Sequence, residues 1–451
     1  MAHGFSRDRW YNYIAERSHP PVASAIVEKP EYDPDHVYAW KPANNYKGWK
    51  LIVRGEAGVD DAEVIQSAID SIDSGIIFIK EGLYNISDTI KGKSFILIEG
   101  EGRNSTILKW TGVEHGLMFD FRECSRFGFR QIRLNGNNLA DTLIKTGSSG
   151  RTRYLTLERI DFYNTLGPAL DLGLKDGLYT DDTTIIDPEF RNCYIGIAHP
   201  YSMVRIFGGG FGGSNAHTHI LIKTDPNLAF GIKCYGTVFS DSVYDIEIHG
   251  DDPLGVFLFD GCWFEQTERS IFAKTVSTTP KHIKSITFVE CEFGVDTIHD
   301  ESYAIIDLTN CQTCLKFIGG LISLASGKTF TIKLNDNWNS FYALGTHNAD
   351  KIQVTGTGSF ARGFVRTNTL NARFTNSGTA TFSGDGSTTQ FKIAHGLVST
   401  PDKGKTRVWA LSPDAADNFW IDVDDTYIYV NYKTAPPSGT DNVVLGWYAE
   451  V

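Results

Sequence analysis

The chain has 451 residues, of which 41% are hydrophobic and 12% aromatic, and this suffices for one large repetitive domain or for two to three ordinary ones. Its 44 glycines favour β-structure with many turns. The formal net charge of −12 argues against nucleic acid as a partner, because a duplex-binding protein needs a basic face.

The first 50 residues differ from the rest of the chain. They are polar and aromatic, contain five prolines, and begin with MAHGFSRDRWYNYIAERSHPP, which has no apolar run of the secretory kind. We expect residues 1–50 to form an arm that wraps on the main body, binds a neighbouring chain or stays mobile. No stretch of about 18 apolar residues occurs, so membrane insertion is not expected.

Residues 58–108 predict a helix followed by short strands. The segment DDAEVIQSAIDSI has the pattern of an amphipathic helix with Asp60 as its N-cap, and its apolar residues are Val64, Ile65, Ala68, Ile69 and Ile72. The runs GIIFIKEGLYNI and SFILIEGEG are typical of strands closed by glycine turns.

Beyond residue 110 the chain becomes repetitive. One apolar residue recurs in short strands at steps of about 21 to 30 residues, in the order Ile132, Ile160, Phe190, Phe211, Phe239, Phe264, Phe293 and Ile322. Several short strands in each repeat, without a helix, predict a parallel β-solenoid whose stacked coils share one core. The seven scattered cysteines then fit buried free thiols better than disulfides.

The chain changes character again at about residue 373. The segment NSGTATFSGDGSTTQFKIAHGL alternates apolar and polar residues around a turn, and further strand-like runs follow it. We expect residues 373–451 to form a separate antiparallel β-sandwich or small barrel, in which His395 is structural.

The order GVDDAEVIQSAID, GIIFIKEGLYNI and ILIEGEGRNSTIL resembles the opening of the pectate-lyase-like, right-handed parallel β-helix superfamily. The segments GDGSTTQFKIAHGL and APPSGTDNVVLGW resemble small β-domains of viral tail and spike proteins. Together these resemblances imply an all-β, tailspike-like chain: an arm (1–50), a right-handed parallel β-helix with a short capping helix (51–372), and a C-terminal antiparallel β-sandwich for oligomerisation or binding (373–451). They also imply a polysaccharide as partner, a homotrimer, and an extracellular or virion-associated location without a recognisable signal peptide.

The stretch GCWFEQTER (261–269) holds the first candidate site. Trp263 and Phe264 have the pattern of a core strand, whereas Glu265 and Glu268 follow at the predicted coil corner. Two carboxylates are the minimum for glycoside hydrolysis, because one protonates the leaving oxygen and the other attacks or activates water. Burial beside Trp263 would raise the pKa of Glu265 towards that of a general acid. The alternative is a solvated turn.

Two further acidic stretches supply partners for this chemistry. Asp241 follows Phe239 much as Glu265 follows Phe264, so the two carboxylates are predicted to face each other across one coil. Asp181 and Asp182 lie in a predicted loop between coils, where they are candidates for an acid and base pair, for Ca²⁺ ligands, or for a polar loop. No cofactor is expected, with Ca²⁺ as the open alternative, because carboxylates supply the hard oxygens that this ion binds.

Sugar binding is predicted for residues that supply an aromatic ring or a cation. Apolar sugar faces pack on aromatic rings, and a cation neutralises a uronate. The candidates for substrate binding are Trp263, Tyr179, Tyr244 and Arg191. His217 and His219, two positions apart, are a weak candidate for a metal pair.

Three functions stay open at this point. The first is a glycoside hydrolase that cleaves a polysaccharide with a carboxylate pair. The second is a non-catalytic glycan-binding or structural spike, since the same acids also keep a surface soluble. The third is a polysaccharide lyase, which the scattered arginines and lysines favour less.

Overall fold

The computed structural model describes residues 23–42, 49–147, 152–174, 178–200, 202–224, 229–250, 254–274, 281–295, 303–308, 311–334, 340–344, 346, 352–355, 375–397 and 400–450. The chain divides into two compact units, Met1–Thr279 and Pro280–Val451. In the described part of the chain, no helix is long and apolar enough to cross a membrane.

In its described residues, the first unit contains one helix and 22 strands. In chain order these are β1 (Ala25–Glu28), β2 (His36–Pro42), β3 (Trp49–Glu56), α1 (Asp61–Asp70), β4 (Gly75–Ile79), β5 (Gly82–Ile86), β6 (Ile90–Lys91), β7 (Ile96–Gly100), β8 (Thr106–Trp110), β9 (Gly116–Asp120), β10 (Phe127–Asn135), β11 (Ala140–Lys145), β12 (Thr152–Asp171), β13 (Gly173–Leu174), β14 (Leu178–Ile186), β15 (Glu189–Ala198), β16 (Met203–Phe207), β17 (Gly210–Gly212), β18 (Thr218–Thr224), β19 (Ala229–Tyr235), β20 (Val238–Gly250), β21 (Leu254–Asp260) and β22 (Trp263–Lys274).

From β4 onwards almost all strands pair in parallel with the strand one coil later, and the pairings form three ladders. The first sheet contains β4, β7, β14, β16, β19 and β21, the second contains β5, β8, β17 and the starts of β15, β20 and β22, and the third contains β6, β9, β11, β18 and the ends of β15, β20 and β22. The long strands β10 and β12 run through corners and contribute to more than one sheet. The first unit is therefore a parallel β-helix with three sheets, as the repeats predicted.

The core consists of stacked interior columns, and the column of the second sheet is aromatic. Its rings lie 4.5–5.2 Å apart with interplanar angles of at most 8°, and they belong to Phe162, Phe190, Phe211, Phe239 and Phe264. The third sheet has an aliphatic column, which consists of Ile144, Leu170, Ile197, Ile220, Ile246 and Ile271. Each buried side chain of this size adds about 2 kcal/mol of transfer free energy.

The predicted column is right from Phe190 to Phe264 but wrong before it. Ile132 pairs with Ile160, whereas Phe190 pairs with Phe162, two residues further along β12. Because side chains alternate between faces with a period of two, both positions are interior and both look alike in the sequence.

Helix α1 packs its apolar face against the first strands. Val64, Ile65, Ala68 and Ile69 are fully buried, as the helical pattern predicted, whereas the helix ends at Asp70 and Ile72, which follows it, is only partly buried. Asp60 is the N-cap, but its carboxylate accepts a hydrogen bond from the backbone N–H of Glu56, at 2.8 Å, instead of one from the first turn. Strands β1, β2 and β3 form antiparallel pairs, so part of the predicted arm is sheet, whereas residues 1–22 and 43–48 lie outside the described part.

The second unit contains further parallel strands and then two antiparallel sheets. Its strands are β23 (Lys281–His282), β24 (Ser285–Val289), β25 (Glu292–Val295), β26 (Ile306–Leu308), β27 (Cys311–Gln312), β28 (Cys314–Ile318), β29 (Leu321–Leu324), β30 (Phe330–Leu334), β31 (Ser340–Leu344), β32 (Ile352–Thr355), β33 (Thr375–Gly384), β34 (Gln390–Ala394), β35 (Arg407–Ala410), β36 (Phe419–Val423), β37 (Tyr427–Tyr432) and β38 (Gly439–Glu450), with a short 3₁₀ turn at Pro413–Ala415.

The C-terminal sheets have the strand orders β33–β38–β35 and β34–β37–β36, and they share one hydrophobic core. This agrees with the predicted antiparallel sandwich, although the expected boundary at residues 372 and 373 lies outside the described residues. His395 is fully buried, accepts a hydrogen bond from the N–H of Leu397 and contacts the carbonyl of Asp424 at 3.0 Å, so its role is structural.

Candidate functional site

Strands β20 and β22 bring together most of the residues that the sequence singled out. These strands pair in parallel, and they belong to successive coils. Each strand begins in the second sheet, passes through a corner and ends in the third sheet. They carry Asp241, Tyr244, Trp263, Glu265 and Glu268. We call this region the β20–β22 corner.

The register at this corner differs in detail from the predicted pairing. Glu265 lies beside Ser240 and Trp263 beside Val238, so Asp241 is displaced from Glu265 by one position along the neighbouring strand. Adjacent strands are about 4.8 Å apart, and this diagonal arrangement keeps both residues within one coil of each other. The pairing of Asp241 with Glu265 in catalysis stays a prediction.

Asp241 also has a backbone role. Its φ of 55° is in the left-handed region, which most side chains disfavour and which Asn and Asp tolerate best after glycine. Asn164 and Asn192 occupy the same corner in earlier coils, with φ of 57° and 53°, and their side chains are hydrogen-bonded at 3.3 Å. The residue type at position 241 is therefore partly dictated by the turn.

Exposure distinguishes the side chains of this corner. Glu265 is half-buried and Glu268 is exposed. The Trp263 side chain is 44% exposed, and within the described part of the chain no other ring stacks on it. A half-buried acid two residues from an exposed indole on one face of a strand is an arrangement that can hold a sugar ring beside a carboxylate.

A strand with two outward glycines lies next to this corner. A Cβ atom built on Gly212 would lie 2.7 Å from Oγ of Ser240 and 3.1 Å from Nη1 of Arg191, and one on Gly210 would lie 3.8 Å from Oε2 of Glu189. The Arg191 guanidinium itself donates to Glu189. The glycines of β17 thus let a cation, a hydroxyl and a carboxylate converge over one strand, and Arg191 lies on the same outer face as Glu265.

The third sheet holds a polar network that the sequence did not reveal. His219 is almost fully buried, and its Nδ1 lies 3.0 Å from the carboxylate of Asp245 on β20. Ser242 and Thr267 donate to the same carboxylate at 3.3 and 3.2 Å. Burial raises the pKa of Asp245, and these hydrogen bonds only partly oppose it.

A second chain of hydrogen bonds runs beside the first. The hydroxyl of Thr218 donates to Oε2 of Glu247 at 2.9 Å, and Nδ1 of His217 lies 2.9 Å from that hydroxyl. His249 contacts the other oxygen of Glu247. Burial raises the pKa of Glu247, but the hydrogen bonds from His249 and Thr218 outweigh burial, so the net shift is downward and the carboxylate is ionised.

The His-Thr-His motif was predicted only as a weak metal pair, and its carboxylate partners were missed. A signal was present, because Asp245 and Glu247 follow His219 and Thr218 by 26 and 29 residues, close to one coil. Within the described ranges, no group of three or more His, Cys, Asp or Glu side chains is arranged to hold a metal ion.

The other predicted site residues lie elsewhere. Asp182 is on β14 in the first sheet, has a φ of 50°, and forms an ion pair of 3.4 Å with Arg205. Asp181 pairs with Arg153 in the register of β12 and β14, and Tyr179 pairs with Gly173 in a short hairpin. The side chain of Tyr179 lies outside the described part. Sugar binding by Tyr179, and catalysis or Ca²⁺ binding by the two aspartates, stay predictions.

A separate open cleft of about 510 Å³ lies at the corner between the first and second sheets. It is lined by Gly102, Arg103, Asn104, Ser105, Gln131, Arg159 and Asp187. Arg103 lies between Asp187 and the buried Asp161, at 3.7 and 3.5 Å from their oxygens. None of the sequence candidates contributes to this cleft.

Comparison with known proteins places the fold. No protein-family profile matches the sequence, and no curated protein resembles it in sequence. Among solved structures, the tailspike protein of Acinetobacter baumannii phage AM24 is similar over 95% of this chain and 91% of its own, with 11% identity and a TM-score of 0.50. The ORF18 protein of Geobacillus virus E2 matches over 98% and 88%, with 14% identity and a TM-score of 0.46.

The three parallel sheets, the capping helix and the C-terminal antiparallel sheets define the class. This chain has a parallel β-helix fold with C-terminal antiparallel sheets, and that fold is similar to the fold of the phage AM24 tailspike protein. At an identity of 11% the likeness concerns the fold, and the scaffold by itself does not fix an activity.

Proposed function

We propose that this protein is a glycoside hydrolase that cleaves a polysaccharide at the β20–β22 corner. The observation that carries the proposal is that Asp241, Glu265 and Trp263 lie on two paired strands at one corner, with the acids one register position apart. An aromatic platform beside a pair of carboxylates is what sugar binding and acid–base cleavage require.

In this proposal Glu265 is the general acid and Asp241 its partner. Glu265 is half-buried two residues from Trp263, a position from which it would donate a proton to the leaving oxygen of a sugar packed on the indole. Asp241 is exposed to solvent, where its side chain would activate water or attack the sugar. Tyr244 and Arg191 contribute to the binding surface, and Glu268 is a peripheral acid.

The proposal extends to assembly and location. The tailspike protein of phage AM24 has a similar fold, and we propose a homotrimer that acts outside the cell or as part of a virion. Light scattering on the purified chain tests this, with the mass of three chains as the expected result and that of one chain as the contrary result.

A non-catalytic glycan-binding spike is the second candidate. It is favoured by the corner position that Asp241 shares with Asn164 and Asn192, because the left-handed turn partly accounts for the residue type at position 241 without any catalytic role.

A polysaccharide panel distinguishes these functions. We expect new reducing ends with wild type and a loss of about 100-fold or more in Glu265→Gln, whereas Glu114→Gln, at an exposed site on an early coil, keeps full activity. Absorbance of unsaturated products would instead indicate a lyase. Binding without any product would establish the spike, and activity that survives Glu265→Gln would refute the assignment of the acid.

A further inference from the structure

The hydrogen bonds around His217 fix which of its ring nitrogens carries the proton. Thr218 has one hydroxyl hydrogen, and it points to Oε2 of Glu247, which as a carboxylate can only accept. The hydroxyl oxygen must therefore accept from Nδ1–H of His217, 2.9 Å away. In the neutral imidazole, Nε2 is then an unprotonated hydrogen-bond acceptor.

The ring of His217 is held in position as well. It stacks on Tyr194, with centroids 5.0 Å apart and an interplanar angle of 23°, and it meets the edge of Tyr244 at 5.4 Å. Thr218 and Glu247 behind it are buried, so the relay cannot reorient without losing buried hydrogen bonds. Among the described residues, none bonds Nε2, and the ring is half-buried with Tyr194 46% exposed beside it.

This arrangement lies one coil away from the β20–β22 corner. Tyr244, which contacts the imidazole, also packs against Phe272 at 5.2 Å and under the guanidinium of Arg269 at 5.9 Å. A glycan at the corner that continues along the third sheet would meet Tyr244 first and His217 next.

We propose that His217 forms a sugar subsite on the third sheet, in which Nε2 accepts a hydrogen bond from a sugar hydroxyl. The subsite determines specificity and lies beside the cleaved bond without reacting. It rests on the proposed function, because the hydroxyl belongs to the polysaccharide that binds at the corner. The Thr218–Glu247 relay is a positioning device for this acceptor.

Chemical labelling tests the subsite without using activity. Diethyl pyrocarbonate acylates accessible, unprotonated imidazole nitrogens, and mass spectrometry locates the labelled histidines. We expect His217 to be labelled at least tenfold faster than buried His219, and a glycan that binds the protein to slow the labelling of His217 severalfold. Equal rates for the two histidines, or no protection by a glycan that binds, would overturn the subsite.

Kinetics with matched variants separates binding from structure. His217→Phe keeps a ring against Tyr194 but removes the acceptor, so KM should rise about fivefold while kcat changes less than about twofold. Thr218→Val frees the imidazole to adopt the other tautomer and should raise KM by a smaller factor. A fall in kcat with unchanged KM in His217→Phe would contradict the assignment.

The outcomes for the subsite and for the proposed function are distinct. A wild type that binds glycan without protecting His217 overturns the subsite alone. A wild type that binds no glycan in the panel overturns the proposed function, and the subsite with it.

Discussion

The interior of the β-helix contains two kinds of buried side chain, aromatic rings and hydrogen-bonded polar groups. On the second sheet, Phe211 and Phe239 continue a ladder of nearly parallel rings, whereas on the third sheet His219 and Asp245 are buried as a hydrogen-bonded pair. Hydrocarbon needs only a matching size one coil away, but a buried polar group needs a partner at hydrogen-bond distance. A β-helix therefore tolerates polar side chains in its core only where successive coils supply hydrogen-bond partners for them.

The largest expected effect is on the aromatic ladder. Phe211→Ala removes a fully buried ring between Phe190 and Phe239 and should lower the free energy of unfolding by about 4 kcal/mol. Phe207→Ala in the same coil removes a ring that is 39% exposed and should cost about 1 kcal/mol. Denaturant unfolding followed by circular dichroism measures both. Equal losses would mean that the ladder is not the core.

Removal of Asp245 from the buried polar network should lower the free energy of unfolding nearly as much as Phe211→Ala does. Asp245→Ala leaves His219, Ser242 and Thr267 without their acceptor and should lower the free energy of unfolding by about 3 kcal/mol. The double variant His219→Leu/Asp245→Leu replaces the pair by hydrocarbon and should recover the part of that loss that comes from unpaired His219, while Ser242 and Thr267 stay without their acceptor. The same unfolding experiment checks this, and no recovery would show that the pair itself, rather than its satisfaction, stabilises the coil.

The ion pairs of Asp120 on β9 should make part of the free energy of unfolding depend on pH. Burial raises the pKa of Asp120, but hydrogen bonds from Arg122 and Lys91 outweigh it and hold that pKa well below its usual range. Because the folded-state pKa is lowered, the contribution is present above the unfolded-state pKa near 4 and is lost as the pH falls below it. We expect Asp120→Asn to cost roughly 2 kcal/mol at about pH 6 and much less at about pH 3. A pH-independent difference in unfolding free energy would contradict the assigned ion pairs.

The smallest expected change in the free energy of unfolding is at Asp241, where two substitutions separate its backbone role in the turn from its proposed role in glycan cleavage. Asp241→Asn should change the free energy of unfolding by less than about 0.5 kcal/mol, because Asn tolerates the left-handed backbone, whereas Asp241→Val should cost about 1–2 kcal/mol. Any loss of glycan cleavage in the stable Asp241→Asn variant then belongs to the carboxylate. Full cleavage by that variant would remove Asp241 from the reaction.

The fold was largely predictable because the buried residues of a solenoid recur in the sequence at steps of about one coil. The helix at α1 and the column from Phe190 to Phe264 follow from that pattern. Ile160 was placed in the wrong column because two interior positions two residues apart carry the same apolar type. The register within a coil is fixed by the backbone geometry of its corners, as at Arg159 and Asp187, whose φ angles are near 50°. The residue types at these corners do not reveal that geometry.

The candidate site was predictable only in part. Glu265, Trp263 and Asp241 stand out because they follow core residues at a corner. The relay from His217 through Thr218 to Glu247 joins residues 29 positions apart, and nothing local in either strand marks the partnership. Hydrogen-bonded pairs between coils become visible in sequence only when the exact coil length is known, and that length varies here from about 21 to 30 residues.

The most direct test of the central claim is a crystal structure of Glu265→Gln with an oligosaccharide from the polysaccharide that the wild type binds. We predict a sugar ring packed on Trp263 with its glycosidic oxygen beside residue 265, and Asp241 on the opposite side of the bond. An oligosaccharide bound at another face, such as the cleft around Arg103, with the β20–β22 corner empty, would contradict the account.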